Sequence, residues 1–250
     1  MKHLIKAEWH RLCYRFDPAG VVITGSVLTI LCGIFMQMFT PEETSLREIP
    51  NIVVNALQCG GYVILIFVIL MEACVVGDYI RNKLVNHELI MGYSFEQIWA
   101  AKQLLAGGMI AVVFCGTAWI GIAVEMLVRN TACVNGLCYR MCLLLLVLFR
   151  VSFVAMLYLY VVRDPLLSIG SFLLVQMIVI PHMADRLADV RIGRIAVPNL
   201  MAPNQIALIW SDHPPKHILI LVIAGMAVEM SAAYVLARLY LAKKGSNIYV

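Results

Sequence analysis

Two ionisable residues deep inside apolar segments are the first candidates for chemistry in this sequence. Arg150 and Glu229 lie in separate apolar runs, about 10 and about 18 Å from the same predicted membrane face if each helical residue advances about 1.5 Å. A charged side chain at mid-span costs roughly 2.5–3.5 kcal/mol, so it usually has a partner or a function. Because an arginine side chain can bridge this offset, the sequence predicts a buried ion pair or the lining of a polar pathway. Independent burial of each side chain in protein is the alternative.

Glu72 and Glu125 are the other acidic residues within apolar runs. Both lie near the ends of their runs, and a glutamate side chain in that position can reach the membrane interface. We therefore expect these two carboxylates to reach the interface.

Motifs for enzyme catalysis and cofactor binding are missing from the sequence. There is no Gly-x-x-x-x-Gly-Lys-Ser/Thr loop, so the chain cannot hydrolyse ATP by the P-loop mechanism. Neither Gly-x-Ser-x-Gly nor His-Glu-x-x-His occurs, and the histidines have no metal-ligand spacing on any one helix. We therefore predict no catalytic residue, no cofactor and no metal in this chain.

One acidic stretch matches part of a protease signature. Glu42, Glu43 and Arg47 have the spacing of the Glu-Glu-x-x-x-Arg motif of CAAX-type intramembrane proteases. The further motifs of that family, Phe-x-x-x-His and His-x-x-x-Asn, do not occur in this sequence. The stretch also lies in a predicted outer loop rather than within a span. An acidic loop cap is therefore the preferred interpretation, and a protease is kept as an alternative.

Composition indicates an integral membrane protein. Of 250 residues, 62% are hydrophobic and 14% are charged, with a mean hydropathy of +0.88, whereas soluble domains have roughly 45–50% apolar and about 25% charged residues. Several apolar runs reach the roughly 20 residues that a transmembrane helix requires. These runs are approximately 18–39, 52–76, 104–128, 143–162, 166–182 and 217–241. We therefore predict an all-α membrane protein, with residues 1–250 forming a single domain built on a bundle of six transmembrane helices.

The distribution of Lys and Arg predicts the orientation of the bundle. More of these residues flank the spans on the side that holds both termini, and the loop after the first span is acidic. We therefore predict a multi-pass protein of the cell membrane, in contact with membrane lipid, with both termini in the cytoplasm. No basic stripe interleaved with aromatic residues occurs, which argues against nucleic acid as a partner.

On the predicted outer side, Cys133 and Cys138 flank a short loop, where they form either a disulfide or two unpaired thiols. The segment 183–216 contains four prolines and apolar patches too short to span a membrane. It is predicted to cap the outer side, and partial re-entry into the membrane stays open because shielded prolines are tolerated there.

On the predicted inner side, residues 1–16 have the pattern of an amphipathic helix that lies in the membrane interface. Between spans two and three, Gly92 is a natural helix stop. Ser94 and Gln97 then have the spacing of a capping box, which starts the helix leading into span three. The sequence thus predicts a helical hairpin over residues 77–102 at the cytoplasmic surface.

This hairpin resembles a loop of a known family. Its residues are Ile80-Arg81-Asn82-Lys83-Leu84, then Gly92, Ser94, Ile98, Trp99 and Lys102. They are similar to the pattern of the membrane subunit of ABC-2 type transporters, roughly Gly-Thr-Ile-Arg-Asn-Lys-Leu followed by Gly-x-Ser-Arg-x-x-Ile-Tyr-x-x-Lys. The opening of the sequence, Met1–Leu12, also resembles the usual start of that family. Asp78-Tyr79 replaces Gly-Thr here, and Phe95 stands where the family often has Arg.

The resemblance implies that the hairpin couples the membrane domain to an ATPase. In the family, this loop contains a coupling helix that docks on a separate ABC ATPase subunit, and two six-span halves work with two ATPases. By position, the ATPase-coupling residues would be Arg81, Lys83, Asn86, Glu88, Leu89, Met91, Gly92, Ser94 and Glu96. The partners would be the ATPase and a second permease subunit, which is either another copy of this chain or a similar one.

The expected function is that of a permease subunit in an ABC exporter, with the enzyme activity on a separate chain. Apolar spans with few polar groups favour an amphipathic or lipid-like substrate over a sugar or an ion. Many bacterial members of the family export drugs or antimicrobial peptides, or confer immunity to them. A membrane sensor or assembly protein that transports nothing is the further alternative.

Overall fold

In the computed structural model of the protein, the described residues are 5–7, 9–10, 61–77, 90–129, 137–162, 164–192, 195–211 and 215–244. These ranges are mostly helical, and four of their helices are long and apolar enough to cross a membrane. The four candidate spans are Glu96–Ile120, Cys138–Val162, Pro165–Arg186 and Ile218–Leu236. The described part of the chain therefore has the helical, apolar character of a membrane protein.

The α-helices are α1 (Gly61–Glu72), α2 (Phe95–Arg129), α3 (Leu137–Val162), α4 (Pro165–Leu174), α5 (Ile180–Arg186), α6 (Ala202–Trp210) and α7 (Ile218–Lys244). A π-helical turn, Ala73–Gly77, continues α1, and another, Val175–Val179, joins α4 to α5. Two short strands, β1 (Arg191–Ile192) and β2 (Ile195–Ala196), pair antiparallel before a 3-10 turn at Val197–Leu200.

The beginnings of α2 and α4 are set by side-chain caps. Ser94 Oγ accepts a hydrogen bond from the Gln97 N–H at 3.3 Å, and Gln97 Oε1 accepts one from the Ser94 N–H at 3.1 Å. This reciprocal pair confirms the predicted capping box. At α4, Asp164 Oδ1 accepts from the Leu167 N–H at 3.0 Å, and Pro165 occupies the first helical turn, where its missing N–H costs nothing.

The helix α3 lies at the centre of the described bundle. It packs against α1, α2, α4, α6 and α7. Protein buries 61% of the candidate span in α3, compared with 17% for Pro165–Arg186 and 28% for Ile218–Leu236. Because those two spans are also apolar, their exposed faces are suited to lipid or to another apolar protein surface.

Aromatic packing identifies which helix ends lie together. The ring of Trp99, near the start of α2, stacks on Tyr160 near the end of α3, with centroids 5.2 Å apart. Ala233, in the C-terminal half of α7, belongs to the same cluster. We call this end of the bundle the turn end, because α2 begins there just after the turn at Met91–Gly92.

Several predicted elements fall partly or wholly outside the described residues. The first predicted span, 18–39, lies outside them, and the second, 52–76, is described only from residue 61, where it is helical. Of the predicted interfacial helix, residues 5–7 and 9–10 are described and are helical. The count of six spans and the full helix over 1–16 therefore remain predictions.

The segment 183–216, predicted as an outer cap with partial re-entry into the membrane left open, contains a helix that packs inside the bundle. Its helix α6 inserts among α1, α3 and α7 and buries Ala202, Gln205, Ile206, Ile209 and Trp210. A helix of this length cannot cross a membrane by itself. Because it is buried in the bundle, its polar side chains need hydrogen-bond partners there. At the predicted outer loop, Cys138 has a free thiol, and Cys133 lies outside the described residues.

Candidate functional site

The structure brings Arg150 and Glu229 together across the interface of α3 and α7. Arg150 Nε lies 3.0 Å from Glu229 Oε2. The arginine side chain is fully buried and the glutamate side chain is 26% exposed. The two groups form one buried ion pair, which is the arrangement that lowers the cost of charge inside a membrane protein.

Gln205 on α6 completes this polar group. Its Oε1 accepts a hydrogen bond from Arg150 Nη1 at 3.0 Å, while its Nε2 donates to the Leu221 carbonyl at 2.8 Å and to the Asn199 carbonyl at 3.1 Å. One fully buried amide thus ties α3 to α6, to α7 and to the turn before α6. We call Arg150, Gln205 and Glu229 the arginine cluster.

Gly225 on α7 leaves the space that the guanidinium occupies. A Cβ atom at this position would lie 2.1 Å from Arg150 Nη1 and 2.8 Å from Gln205 Nε2. Both distances are far inside van der Waals contact, so only glycine permits this approach of α3 and α6 to α7. The arginine cluster therefore depends on Gly225, because any side chain at this position would displace the Arg150 guanidinium.

A second polar group lies at the junction of α1, α2 and α3. Gln103 Nε2 donates a hydrogen bond to Ser152 Oγ at 2.8 Å, and Ser152 Oγ donates to Glu72 Oε1. Glu72 and Ser152 are fully buried, and Gln103 is 4% exposed. We call these three residues the carboxyl cluster.

The position of Glu72 contradicts the sequence prediction that its carboxylate lies at the interface. Glu72 is the last residue of α1, but the π-helical turn Ala73–Gly77 carries the chain onward, and Gly77 packs beside Pro165 of α4. The helices α2 and α3 cover the side chain, which removes it from any interface. The side chain of Glu125, the other residue in that prediction, lies outside the described side chains.

The predicted coupling residues are described only from Ile90 onward. Ile90 and Met91 are 82% and 73% exposed, and Gly92 has a backbone φ of +88°, in the left-handed region that favours glycine. Ser94 caps α2, and Glu96 in its first turn is exposed. The remaining predicted coupling residues, Arg81, Lys83, Asn86, Glu88 and Leu89, lie outside the described residues.

Several of the buried polar partners were not singled out from sequence. Gln103, Ser152 and Gln205 are single uncharged residues in apolar stretches, and such residues are common in membrane helices without any special role. Only their three-dimensional convergence shows that they bind the charged groups. In the described part of the chain, no group of three or more His, Cys, Asp or Glu side chains is placed to hold a metal ion.

The positions of the arginine cluster and the carboxyl cluster limit the chemistry that their side chains can perform. Both clusters lie inside the bundle, and their described contacts are to polar groups of the protein itself. They can hold a charge, hold a proton or join helices. In comparison with known proteins, no protein-family model matches this chain and no curated protein matches it.

Proposed function

We propose that this chain is the membrane-spanning permease subunit of an ATP-driven ABC exporter, which moves an amphipathic substrate such as a peptide antibiotic, a drug or a lipid-like molecule. The observation that carries the proposal is the exposed apolar turn at the start of α2. The side chains of Ile90 and Met91 are 82% and 73% exposed, directly before Gly92, whose positive φ turns the chain. Two adjacent exposed apolar side chains at a turn offer a surface on which a partner can dock.

The turn is built to transmit force rather than to move independently. Gly92 turns the chain at a positive φ, and the reciprocal hydrogen bonds of the Ser94–Gln97 capping box join the turn to α2. The helix then continues without interruption for 35 residues, or about 52 Å at about 1.5 Å per residue. A partner that displaces the turn would therefore displace a complete membrane helix.

The position of the turn also supports a cytoplasmic ATPase as the partner. The turn end of the bundle carries the C-terminal part of α7, where Arg238 is exposed and Lys243 and Lys244 follow. Basic residues beside helix ends favour the cytoplasmic side. An ATPase would accordingly reach Met91 from the cytoplasm.

A second permease subunit fits the outward faces of the bundle. The spans Pro165–Arg186 and Ile218–Leu236 are only 17% and 28% buried within the chain, so most of their apolar surface is available for a partner or for lipid. In the proposed complex, two such chains and two ATPases form the exporter, and substrate moves between the two membrane halves.

Site-directed photo-crosslinking tests the proposed docking. Met91 is replaced by benzoylphenylalanine in the full chain, expressed in its native membrane, and Val190 is replaced in the same way as the control. Val190 is also exposed, but it follows α5 at the end of the bundle opposite the turn end. We expect position 91, and not position 190, to crosslink to a protein with a P-loop ATPase domain. Crosslinks from position 91 to lipid alone would contradict the proposal and favour a membrane protein that transports nothing.

A further inference from the structure

The carboxyl cluster has a role that is separate from the docking turn. Glu72 is completely buried, and its Oε2 has no hydrogen-bond partner among the described residues. Gln103 Oε1, on the amide that donates to Ser152, is a second buried oxygen without a partner in the described part of the chain. These acceptor atoms are unsatisfied in a region where each unmet hydrogen bond is costly.

Few donors in the described part of the chain are available to the Glu72 carboxyl group. Gln103 donates to Ser152, and Ser152 in turn donates to Glu72 Oε1. An ionised carboxylate in this position would receive one hydrogen bond from the described residues, although a buried carboxylate needs a cation or several donors to offset its desolvation. A protonated carboxyl keeps the hydrogen bond from Ser152 at Oε1 and carries its own hydrogen on Oε2.

We propose that Glu72 is a proton-binding site inside the membrane domain, held in place by Ser152 and Gln103. The adjoining π-helical turn, Ala73–Gly77, is an independent indication, because such turns occur frequently at functional sites in otherwise regular helices. The proposal does not depend on the exporter function, since it concerns only the chemistry of one carboxyl group.

Among the described residues, the charged side chains nearest the carboxyl cluster come from two helices. On α3, Arg150 is two positions from Ser152, about 200° around the helix, and its guanidinium is held by Glu229 and Gln205 on that other side. On α2, Lys102 precedes Gln103 and is also buried. The other two helices packed against α1, namely α4 and α6, contain no ionisable side chain. Lys102 is therefore the residue whose influence the test must isolate.

Binding of the proton would hold three helices together. With the proton bound, the carboxyl cluster joins α1, α2 and α3 without a net charge on Glu72. After its loss, a carboxylate with a single described donor would remain inside the bundle, which disfavours this packing. Protonation would thus favour the closed junction, and deprotonation would favour its hydration.

Reaction with dicyclohexylcarbodiimide tests the proposal on the purified full chain in lipid nanodiscs. The reagent reacts with a protonated carboxyl in an apolar environment: the acid proton moves to a carbodiimide nitrogen, and the carboxyl oxygen bonds to the central carbon. The resulting O-acylisourea rearranges to a stable N-acylurea without losing any group. Peptide mass spectrometry then locates the adduct, which we expect at Glu72, with a yield that falls as the pH rises. Glu229 serves as the internal control, because the Arg150 guanidinium 3.0 Å away favours its ionised form and we therefore expect it to react less than Glu72.

Two variants distinguish proton binding from a structural role. Ser152→Ala removes the donor that stabilises the ionised carboxylate, so labelling of Glu72 should persist to more alkaline pH than in the unmodified chain. Lys102→Met should leave the labelling of Glu72 largely unchanged. Labelling that appears only in Lys102→Met would show that Glu72 is an ionised partner of Lys102, and would overturn the proposal.

Infrared spectroscopy covers the case in which the reagent fails to reach the site. A C=O stretch of a protonated carboxylic acid should be present in the unmodified chain and missing from Glu72→Gln, which keeps the size and neutrality of the group. If neither the adduct nor this band is found at any pH, Glu72 does not bind a proton. Protection of Glu72 by Na⁺, at fixed pH and ionic strength, would contradict the proposal as well, because it would indicate a metal cation as the ligand.

Discussion

Arg150 and Ser152, two positions apart on α3, bind different polar groups on opposite sides of that helix. Arg150 binds Glu229 of α7 and Gln205 of α6, whereas Ser152 binds Glu72 of α1 and Gln103 of α2. Residues separated by two positions point about 200° apart on an α-helix. The central helix therefore connects the two halves of the described bundle through adjacent polar contacts, and a shift of α3 would strain both at once.

The ion pair itself can be measured with a double-mutant cycle. Glu229→Gln leaves the fully buried Arg150 without its counter-charge, so we expect a loss of about 3–5 kcal/mol in unfolding free energy. Arg150→Met should cost less, because the remaining Glu229 is partly exposed. The double variant should be clearly less destabilised than the sum of the single variants, as measured by unfolding in mixed micelles. A double variant as unstable as that sum would show that the two residues do not interact.

Gly225 provides a steric test of the arginine cluster. The Cβ of Gly225→Ala would overlap Arg150 Nη1, so the guanidinium must move away from Gln205. We expect a loss of about 1–3 kcal/mol from this overpacking. Gly170→Ala is the matched control, because a Cβ there meets nothing within 4 Å. Equal thermal stability of these two variants in detergent would rule out the close approach of α7 to Arg150.

Gln205 should hold α6 inside the bundle. Gln205→Leu keeps a side chain of similar size at this position. It removes the hydrogen bonds that the amide makes with Arg150 Nη1 and with the Leu221 and Asn199 carbonyls. We expect faster backbone hydrogen exchange across Ala202–Trp210 and a stability loss of about 1–3 kcal/mol, typical of unsatisfied buried polar groups. Ala207→Ser on the exposed side of the same helix is the control. If both variants exchange at the same rate, packing rather than the amide positions α6.

The capping box should control how firmly the turn is attached to α2. Ser94→Ala removes the acceptor of the Gln97 N–H, which we expect to cost about 1 kcal/mol locally. Hydrogen exchange should increase in residues 95–98 and stay unchanged in α3. Equal hydrogen-exchange rates at residues 95–98 in the variant and the unmodified chain would mean that the cap does not restrain the turn.

The features that sequence predicted best depend on local chemistry. Gly92 and the Ser94–Gln97 pair were predictable because turn and cap preferences operate within a few residues, and both occur as expected. The four candidate spans among the described residues were predictable because membrane thickness sets the length of an apolar helix. Their register and contacts are not determined by that rule.

The features that sequence missed depend on contacts between distant residues. Burial of Glu72 requires a π-helical turn after α1 and coverage by two other helices, and neither is visible in the local pattern. Gln205 lies in a proline-containing segment that reads as a surface cap, yet it reaches Arg150 through a short inserted helix. In both cases a single polar residue acquires its role from a partner many positions away.

ATP hydrolysis in the complex purified through a tag on this chain tests the proposed exporter most directly. After mild solubilisation of native membranes, the unmodified chain should bring with it a vanadate-sensitive ATPase activity. Met91→Asp places a charge on the exposed apolar turn and should remove at least about 90% of that activity, as expected for a docking residue worth roughly 1.4 kcal/mol or more. Val190→Asp, at the opposite end, should retain it. If the unmodified chain brings no ATPase activity, or if Met91→Asp retains all of it, the chain is not an exporter subunit that docks through this turn.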